Sequence, residues 1–449
     1  MIMPIWRTDD RNFRRLLAAL KRKLSMDEGL TAAGANAKSP RDAVLSIIGD
    51  VREDGDAALL EYTRQLDGCD LTAGQLRVAD SEIEAALERC PAEYLNSLRK
   101  AADRVRRFQQ ATLVRDPEPL EEDGRSLRMR YTPVDSAGLC VPGGVASLAS
   151  SVLMCAVPAK VAGVKRVAMV TPPRPDGSVT DDRLAAAHVA GVDEIYRIGG
   201  AQAVAALAWG TETISPVDFI AGPGNIYTTL AKKEAFGRVG IEALPGPSEV
   251  VIIADETADV DWVAADLIAQ AEHNPGSSIL LTDSEDLAAD VADAVDGAVA
   301  DLPRANETRT CLASYGAVVM ATSVEECIEL TNELAPEHLQ IITADPEGAA
   351  ARVRHAGAIF LGPWTPVPVG DYIAGPSHVL PTGMTARFSG GLSANDFLKR
   401  SSVISYDRAA LLEDANDIER MARAEGLEGH ARSVGLRKDV AQSSSSSGG

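Results

Sequence analysis

At 449 residues the chain exceeds what a single hydrophobic core serves, so two or more domains are expected. Its 45% apolar content is that of an ordinary globular protein, and a net charge of −21 argues against nucleic acid or an anionic membrane as partner. The six cysteines (Cys69, Cys90, Cys140, Cys155, Cys311, Cys327) show no CxxC and no framework spacing, which suits reduced thiols in a cytoplasmic protein.

The N-terminus, MIMPIWRTDD, is charged early and has no apolar core segment, so no signal peptide is expected. The first thirty or so residues read as a basic helical arm (Asn12 to Leu24), with a turn-rich connector running through Ser39-Pro40. Residues 41–65 and 80–114 read as helices, with a short strand near Leu76 to Val78 between them. Arg115 to Tyr131, dense in charge and proline, reads as a boundary loop. Residues 136–159 carry no charge, but Pro142-Gly143-Gly144 and the serines break the run, so it is not a membrane span. From Gly138 short apolar strands alternate with helices: LCV, then 167–170, 194–198, 217–221 and 239–242. Such alternation builds βαβ units and a parallel sheet.

A second run of the same kind begins at Glu249, with strands at 250–254, 278–282, 316–321, 339–343 and 358–362. Leu244-Pro245-Gly246-Pro247 reads as a hinge between the runs. Beyond Trp364 the chain is rich in Gly, Pro and Ser to about Asn395, too long a stretch to be idle in a compact domain. A helical tail (411–440) follows, and the Ser443–Gly449 tract has no fold content. The expected fold class is α/β: two Rossmann-like, doubly wound parallel-sheet domains with small helical N- and C-terminal segments.

Five groups of residues stand out. Gly222-Pro223-Gly224-Asn225 follows a strand and opens a helix, where backbone can approach a pyrophosphate. Gly199-Gly200-Ala201-Gln202 and Val141-Pro142-Gly143-Gly144 repeat that arrangement, and together the three turns point to a nucleotide crevice at the strands' carboxyl ends. Glu242, twenty residues on, either holds a ribose hydroxyl or has a structural part, the reading preferred here. Gln270 and His273 stand three apart at the end of a helix that Asn274-Pro275-Gly276 terminates. Their spacing alone favours a satisfied surface or cap pair over half of a metal site.

Glu337-His338, just before a strand, supplies two adjacent proton acceptors of different basicity, or a turn cap beside a solvated acid. Asp371, in the Gly/Pro-rich stretch with His378 seven residues on, is a metal ligand or, on its own evidence, a turn residue. Glu425 and His430 sit in a tail segment interrupted by Gly426 and Gly429. His188 and His355 lie in ordinary helical stretches and read as structural.

Taken together, GLCVPGG, EIYRIGGAQAVAALAWGT, AGPGN, GPSEVVIIAD, ADLIAQAEH, APEHL, GDYIAGPSHVLPT, LSANDFLKR and RAEGLEGHA resemble the histidinol dehydrogenase family. The resemblance runs from about residue 40 to 437. It implies one Zn2+ per subunit on Gln270, His273, Asp371 and His430, the last donated by the partner subunit of a homodimer. A mixed N/O set without thiolate suits a site left open to ligands, here the imidazole and amino nitrogens of L-histidinol. The resemblance places Ser248, His338 and Glu425, with the four metal positions, against substrate, and Cys140, Gln202 and Asn225 against NAD.

The implied chemistry is a four-electron oxidation with two NAD in succession. His338 takes the hydroxyl proton, Glu337 activates water at the aldehyde stage, and His338 assists the second oxidation. A thiohemiacetal on Cys140 or Cys155 is the other route, but neither thiol has a base nearby in sequence. Two features depart from the family: Cys140 stands at the position of a usual cofactor-contacting Tyr, and Glu242-Ala-Leu-Pro245 replaces its usual Asp and Ala.

The implied domain division is 1–27 as an N-terminal helical arm and 28–137 with 248–392 as a discontinuous α/β domain carrying metal and catalytic residues. Residues 138–247 form the NAD-binding α/β domain, 393–442 a helical tail reaching the partner subunit, and 443–449 a disordered end. One rival reading is a paralogue oxidising another small alcohol, such as a sulfonated diol, which is expected to alter the substrate-facing positions. Another is a catalytically dead, zinc-stabilised dimer, which has no reason to keep Glu337 and His338 together.

Overall fold

The computed structural model describes residues 1–24, 39–143, 148–273 and 276–445. Two compact units emerge, Met1–Thr112 with Val134–Phe397 and Leu113–Pro133 with Leu398–Gly449. In chain order the strands are β1 (Ile5–Arg7), β2 (Leu120–Glu122), β3 (Arg125–Pro133), β4 (Ser136–Cys140), β5 (Arg166–Val170), β6 (Glu194–Tyr196) and β7 (Phe219–Ala221). Next come β8 (Gly240–Ile241), β9 (Ser248–Ala254), β10 (Gly276–Thr282), β11 (Ala317–Met320), β12 (His338–Ile342), β13 (Ala358–Leu361) and β14 (Leu398–Tyr406).

The first unit holds two parallel sheets. One runs β6-β5-β4-β7-β8 and the other β1-β11-β10-β9-β12-β13. Setting β1 aside, both follow the same doubly wound order, third, second, first, fourth, fifth. Each therefore reverses direction once, between β4 and β7 in one sheet and between β9 and β12 in the other. The expected α/β class, with two Rossmann-like sheets, is what the chain forms.

Strands covered by helices on both faces must be apolar almost throughout, and β9 and β10 are buried nearly end to end. Val250, Ile252, Leu280 and Val318 meet Leu267, Val291 and Leu312 on one face. Val251, Ile253, Leu281 and Leu339 meet Leu17, Leu20 and Ile328 on the other. Each fully buried aliphatic side chain contributes about 1.5–3 kcal/mol.

Several local expectations need amendment. The helix expected over Asn12 to Leu24 forms as Phe13–Leu24 and lays Phe13, Leu17, Leu20 and Leu24 into the core, while the unexpected β1 before it pairs in parallel with β11. Residues 25–38, expected as a connector, lie outside the described residues. The helix expected over 41–65 is split at Gly55 into Pro40–Asp54 and Asp56–Tyr62, followed by a π-helical turn, Thr63–Asp67. Near Leu76 there is a one-turn helix (Ala73–Gln75) and a single bridge between Arg77 and Tyr196 rather than a strand.

Arg115 to Tyr131 is not a loop alone, because β3 pairs antiparallel along its whole length with β14, and β2 adds a short third strand. These strands belong to the second unit. Its helices, Arg408–Ala424 and Glu428–Ser445, pack on each other and take up the expected tail. Of the terminal serine tract, residues 446–449 lie outside the described residues.

Candidate functional site

Of the residues singled out for chemistry, Ser248, Gln270, Glu337 and His338 gather at the amino ends of β9 and β12, the two strands that flank the reversal point of their sheet. His338 opens β12 in register with Val250 of β9, which sets Glu337 beside Ser248 and Glu249. The Ser248 hydroxyl donates to Glu337 Oε2 at 2.6 Å, and the Glu249 amide donates to the same oxygen at 2.9 Å. An ionised carboxylate can only accept, so the direction of the Ser248 hydroxyl is fixed and its oxygen receives the Gln270 Nε2–H at 2.7 Å. The amide orientation of Gln270 follows from this chain, with its carbonyl oxygen turned away from Ser248.

His338 is fixed in the same manner. Its Nδ1 lies 3.0 Å from the Glu249 carbonyl oxygen, an acceptor, so Nδ1 carries the hydrogen and Nε2 of the neutral ring carries the lone pair. That Nε2 is buried without a hydrogen-bond partner, and the nearest acid, Asp371 Oδ1, is 3.9 Å away. An unsatisfied buried polar atom costs about 1–3 kcal/mol unless a ligand completes it. The arrangement is that of a general base awaiting a proton donor.

Gln270 is buried in the last turn of the helix Val260–Ala271, while His273 is exposed two residues beyond its end. The His273 amide donates to the Gln270 carbonyl at 3.2 Å, so the pair stands one tight turn apart at the helix end. The expected stop at Asn274-Pro275 lies outside the described residues. Asp371 falls in a short helix, Val367–Tyr372, not in an isolated turn. Its backbone carbonyl accepts from His378 Nδ1 at 2.9 Å, and His378 Nε2 meets Ser151 Oγ at 3.0 Å. Burial holds the His378 imidazole below its ordinary pKa. A cavity of about 390 Å³ is lined by His338, Phe360, Asp371, His378 and Leu392.

Glu425 and His430 belong to the second unit and are exposed, Glu425 in the turn that caps the helix Arg408–Ala424 and His430 on the helix Glu428–Ser445. Among the described residues no three or more His, Cys, Asp or Glu side chains cluster closely enough to hold a metal. Within the first unit the candidate donors are Gln270, His273 and Asp371, and a tetrahedral zinc needs one more.

Glu249 was not singled out from the sequence. It is 2% exposed, accepts from the Gly383 amide, and burial together with the nearby Glu337 charge pushes its pKa up to about 8. The signal in the sequence was an acid within the otherwise apolar run VVIIA and its approach, SEVVIIA.

A second concavity, of about 670 Å³, opens at the carboxyl ends of the other sheet, lined by Cys140, Gly143, Arg174, Gly199, Gln202 and Asn225. Asn225 caps the helix Ile226–Ala235, its Oδ1 accepting from the Tyr227 and Thr228 amides. Gln202 is buried with Oε1 unpartnered. The turn after β7 requires glycine: Gly222 has φ of 112°, and a Cβ there would strike the Cys140 carbonyl oxygen. A backbone this bare, opening a helix N-terminus and beside a stranded amide oxygen, fits a dinucleotide. Gly144 lies outside the described residues.

Glu242 braces that turn: its Oε1 accepts from the Gly222 amide at 2.7 Å and from the buried Lys232 ammonium at 2.6 Å. Its Oε2 is unpartnered, but Glu242 is not among the residues lining the cavity. Cys140 is buried and its thiol is pushed up to about 12, and Cys155 is raised in the same way. Both thiols stay protonated at neutral pH, which disfavours the thiohemiacetal route.

Comparison with known proteins agrees with this picture. The Histidinol dehydrogenase family profile matches residues 31–438. Histidinol dehydrogenase of Synechococcus sp. is 51% identical over 397 residues, covering 88% of this chain and 92% of that one. That of Bradyrhizobium diazoefficiens is 49% identical over 432 residues, covering 96% and 97%. The crystal structure of histidinol dehydrogenase from Elizabethkingia anophelis superposes with a TM-score of 0.89 at 32% identity, covering 98% of this chain and 99% of that one. The chain belongs to the histidinol dehydrogenase family and is an oxidoreductase.

Proposed function

We propose that the chain oxidises L-histidinol through L-histidinal to L-histidine in the cytoplasm, as a homodimer with one Zn2+ per subunit. The observation that carries this reading is His338, a buried imidazole whose Nδ1–H is held by the Glu249 carbonyl and whose Nε2 is left without a partner. Residues 138–247 supply most of the cofactor crevice, with Ile47, Leu66 and Asp67 of the segment before them on its wall, while 248–392 supply the metal donors and bases. Six free cysteines suit a reducing compartment.

Gln270, His273, Asp371 and His430 of the partner subunit would hold zinc, which when bound clamps the substrate's imidazole and amino nitrogens. Ser248 and Glu425 of the partner subunit complete the substrate's polar contacts. NAD, lying against Cys140, Gln202 and Asn225, supplies the hydride acceptor for both oxidations when bound. His338 Nε2 takes the proton of the alcohol. Glu337, anchored by Ser248 and the Glu249 amide, takes a proton from the water that adds to the aldehyde, and the protonated His338 gives its own to the carbonyl oxygen. Nε2 is then free to take the proton of the hydrate in the second oxidation.

The test is stoichiometric. Purified protein supplied with zinc should form about two NADH per L-histidinol consumed, read at 340 nm against histidine released. About one NADH with aldehyde released would remove the second step. No turnover of histidinol beside turnover of a sulfonated diol would move the chain to the paralogue reading, which the unchanged substrate-facing positions disfavour.

A further inference from the structure

Asp67 ends the π-helical turn Thr63–Asp67, in a segment that precedes the sheet whose crevice it lines. Its Oδ2 is shut off from solvent and has no hydrogen-bond partner. Desolvation pushes the carboxyl up to about 6. Buried polar atoms in folded proteins almost always find partners, so a stranded carboxylate oxygen on a cavity wall asks what is meant to fill the cavity.

Its place narrows the answer. Pro172, Pro173 and Arg174, the turn after β5, line the cavity together with Asp67. The segment after Asp67 packs on the same loop, since a Cβ on Gly177 would lie 3.4 Å from Leu71 and 3.8 Å from Cys69 Sγ. In a doubly wound sheet the end of the second strand is where an acid reads the ribose of a dinucleotide. Here β5 is that strand, and it ends in Thr171-Pro172-Pro173-Arg174, without an acid. Glu242, the acid at the end of β8, is engaged by Lys232 and the Gly222 amide. A carboxylate from outside the βαβ units stands in the gap.

We propose that Asp67 is the ribose-reading carboxylate of this crevice, accepting from the 2′- and 3′-hydroxyls of the adenosine ribose of NAD and repelling the 2′-phosphate of NADP. The proposal rests on the reading that NAD occupies the crevice. Arg174, exposed on the same wall, is the residue that would favour NADP instead, so the comparison of the two cofactors is decisive.

Equilibrium binding to the full-length protein by calorimetry tests it, with NAD, NADP, ADP-ribose, nicotinamide mononucleotide and 2′-deoxyadenosine NAD as probes. Wild type should prefer NAD to NADP, and the 2′-deoxy analogue should bind roughly tenfold more weakly than NAD. Asp67→Asn should bind NAD and ADP-ribose roughly tenfold more weakly, leave the mononucleotide unchanged, and lose both the penalty for the deoxy analogue and much of the NADP discrimination. Its melting temperature without ligand should not fall, because a stranded charge has been removed.

Wild-type affinity for NAD in Asp67→Asn, or an undiminished deoxy penalty there, overturns the assignment. So does equal binding of NAD and its 2′-deoxy analogue by wild type, a measurement that needs no variant. Failure of wild type to bind NAD or ADP-ribose at all would instead sink the cofactor reading itself.

Discussion

Glu249 brings a carboxyl group into an apolar strand, and at neutral pH burial leaves most of it protonated, with a pKa of about 8. The folded-state value lies above the ordinary one near 4.3, so ionisation favours the unfolded chain. The stability contributed by the neutral form is whole below about pH 4, declines as pH rises and is lost above about pH 8. Glu249→Gln keeps an oxygen for the Gly383 amide but cannot ionise. Its urea midpoint should match wild type at pH 4 and exceed it at pH 9, by about 2 kcal/mol or more in unfolding free energy. Equal midpoints at pH 9 would show that the acid is solvated in the folded state. At this scale the sequence was half legible. Glu337 and His338 are adjacent and could be read as a pair, but the tautomer of His338 depends on a carbonyl from another strand. Burial of Glu249 shows in local sequence only as an acid at the edge of an apolar run, and the stranded oxygen of Asp67 leaves no mark there.

At the scale of elements, strand–helix alternation was legible because parallel strands are short apolar runs separated by amphipathic helices, and all ten predicted strands of the two runs lie within a few residues of those observed. The β3–β14 pair was not, since the alternation in Arg125–Pro133 is masked by arginines and its partner strand begins only at Leu398. The turn after β7 makes a direct prediction. Gly222→Ala places a Cβ against the Cys140 carbonyl in a backbone conformation that alanine resists, at a cost of about 1–3 kcal/mol. NAD affinity measured by calorimetry should fall while zinc content measured by atomic absorption stays as in wild type. Loss of both would mean that the turn supports the whole unit rather than one crevice.

For the whole molecule, a general rule would put both sites at carboxyl ends of strands. The crevice proposed for the cofactor obeys it, whereas the proposed bases Glu337 and His338 stand at the amino ends of β9 and β12, which no reading of periodicity reveals. Whether the proposed metal site is shared between the subunits of the proposed dimer can be tested by mixing. His430→Ala and Glu337→Ala homodimers should each be inactive, and subunits of the two, unfolded and reassembled together, should recover about a quarter of wild-type activity, because half the dimers then carry one intact site. No recovery, with mixed dimers present by mass spectrometry, would place His430 in its own subunit's site.

The anchoring of Glu337 and His338, the proposed bases, to peptide groups has a further consequence, for inheritance. Glu337 uses the N–H of residue 249 and His338 its C=O, groups that nineteen of the twenty amino acids supply alike. Drift at that codon leaves the two anchors untouched until it reaches proline, which has no N–H to give. Selection at position 249 therefore acts on the side chain's burial, and the alignment of the bases is passed on regardless.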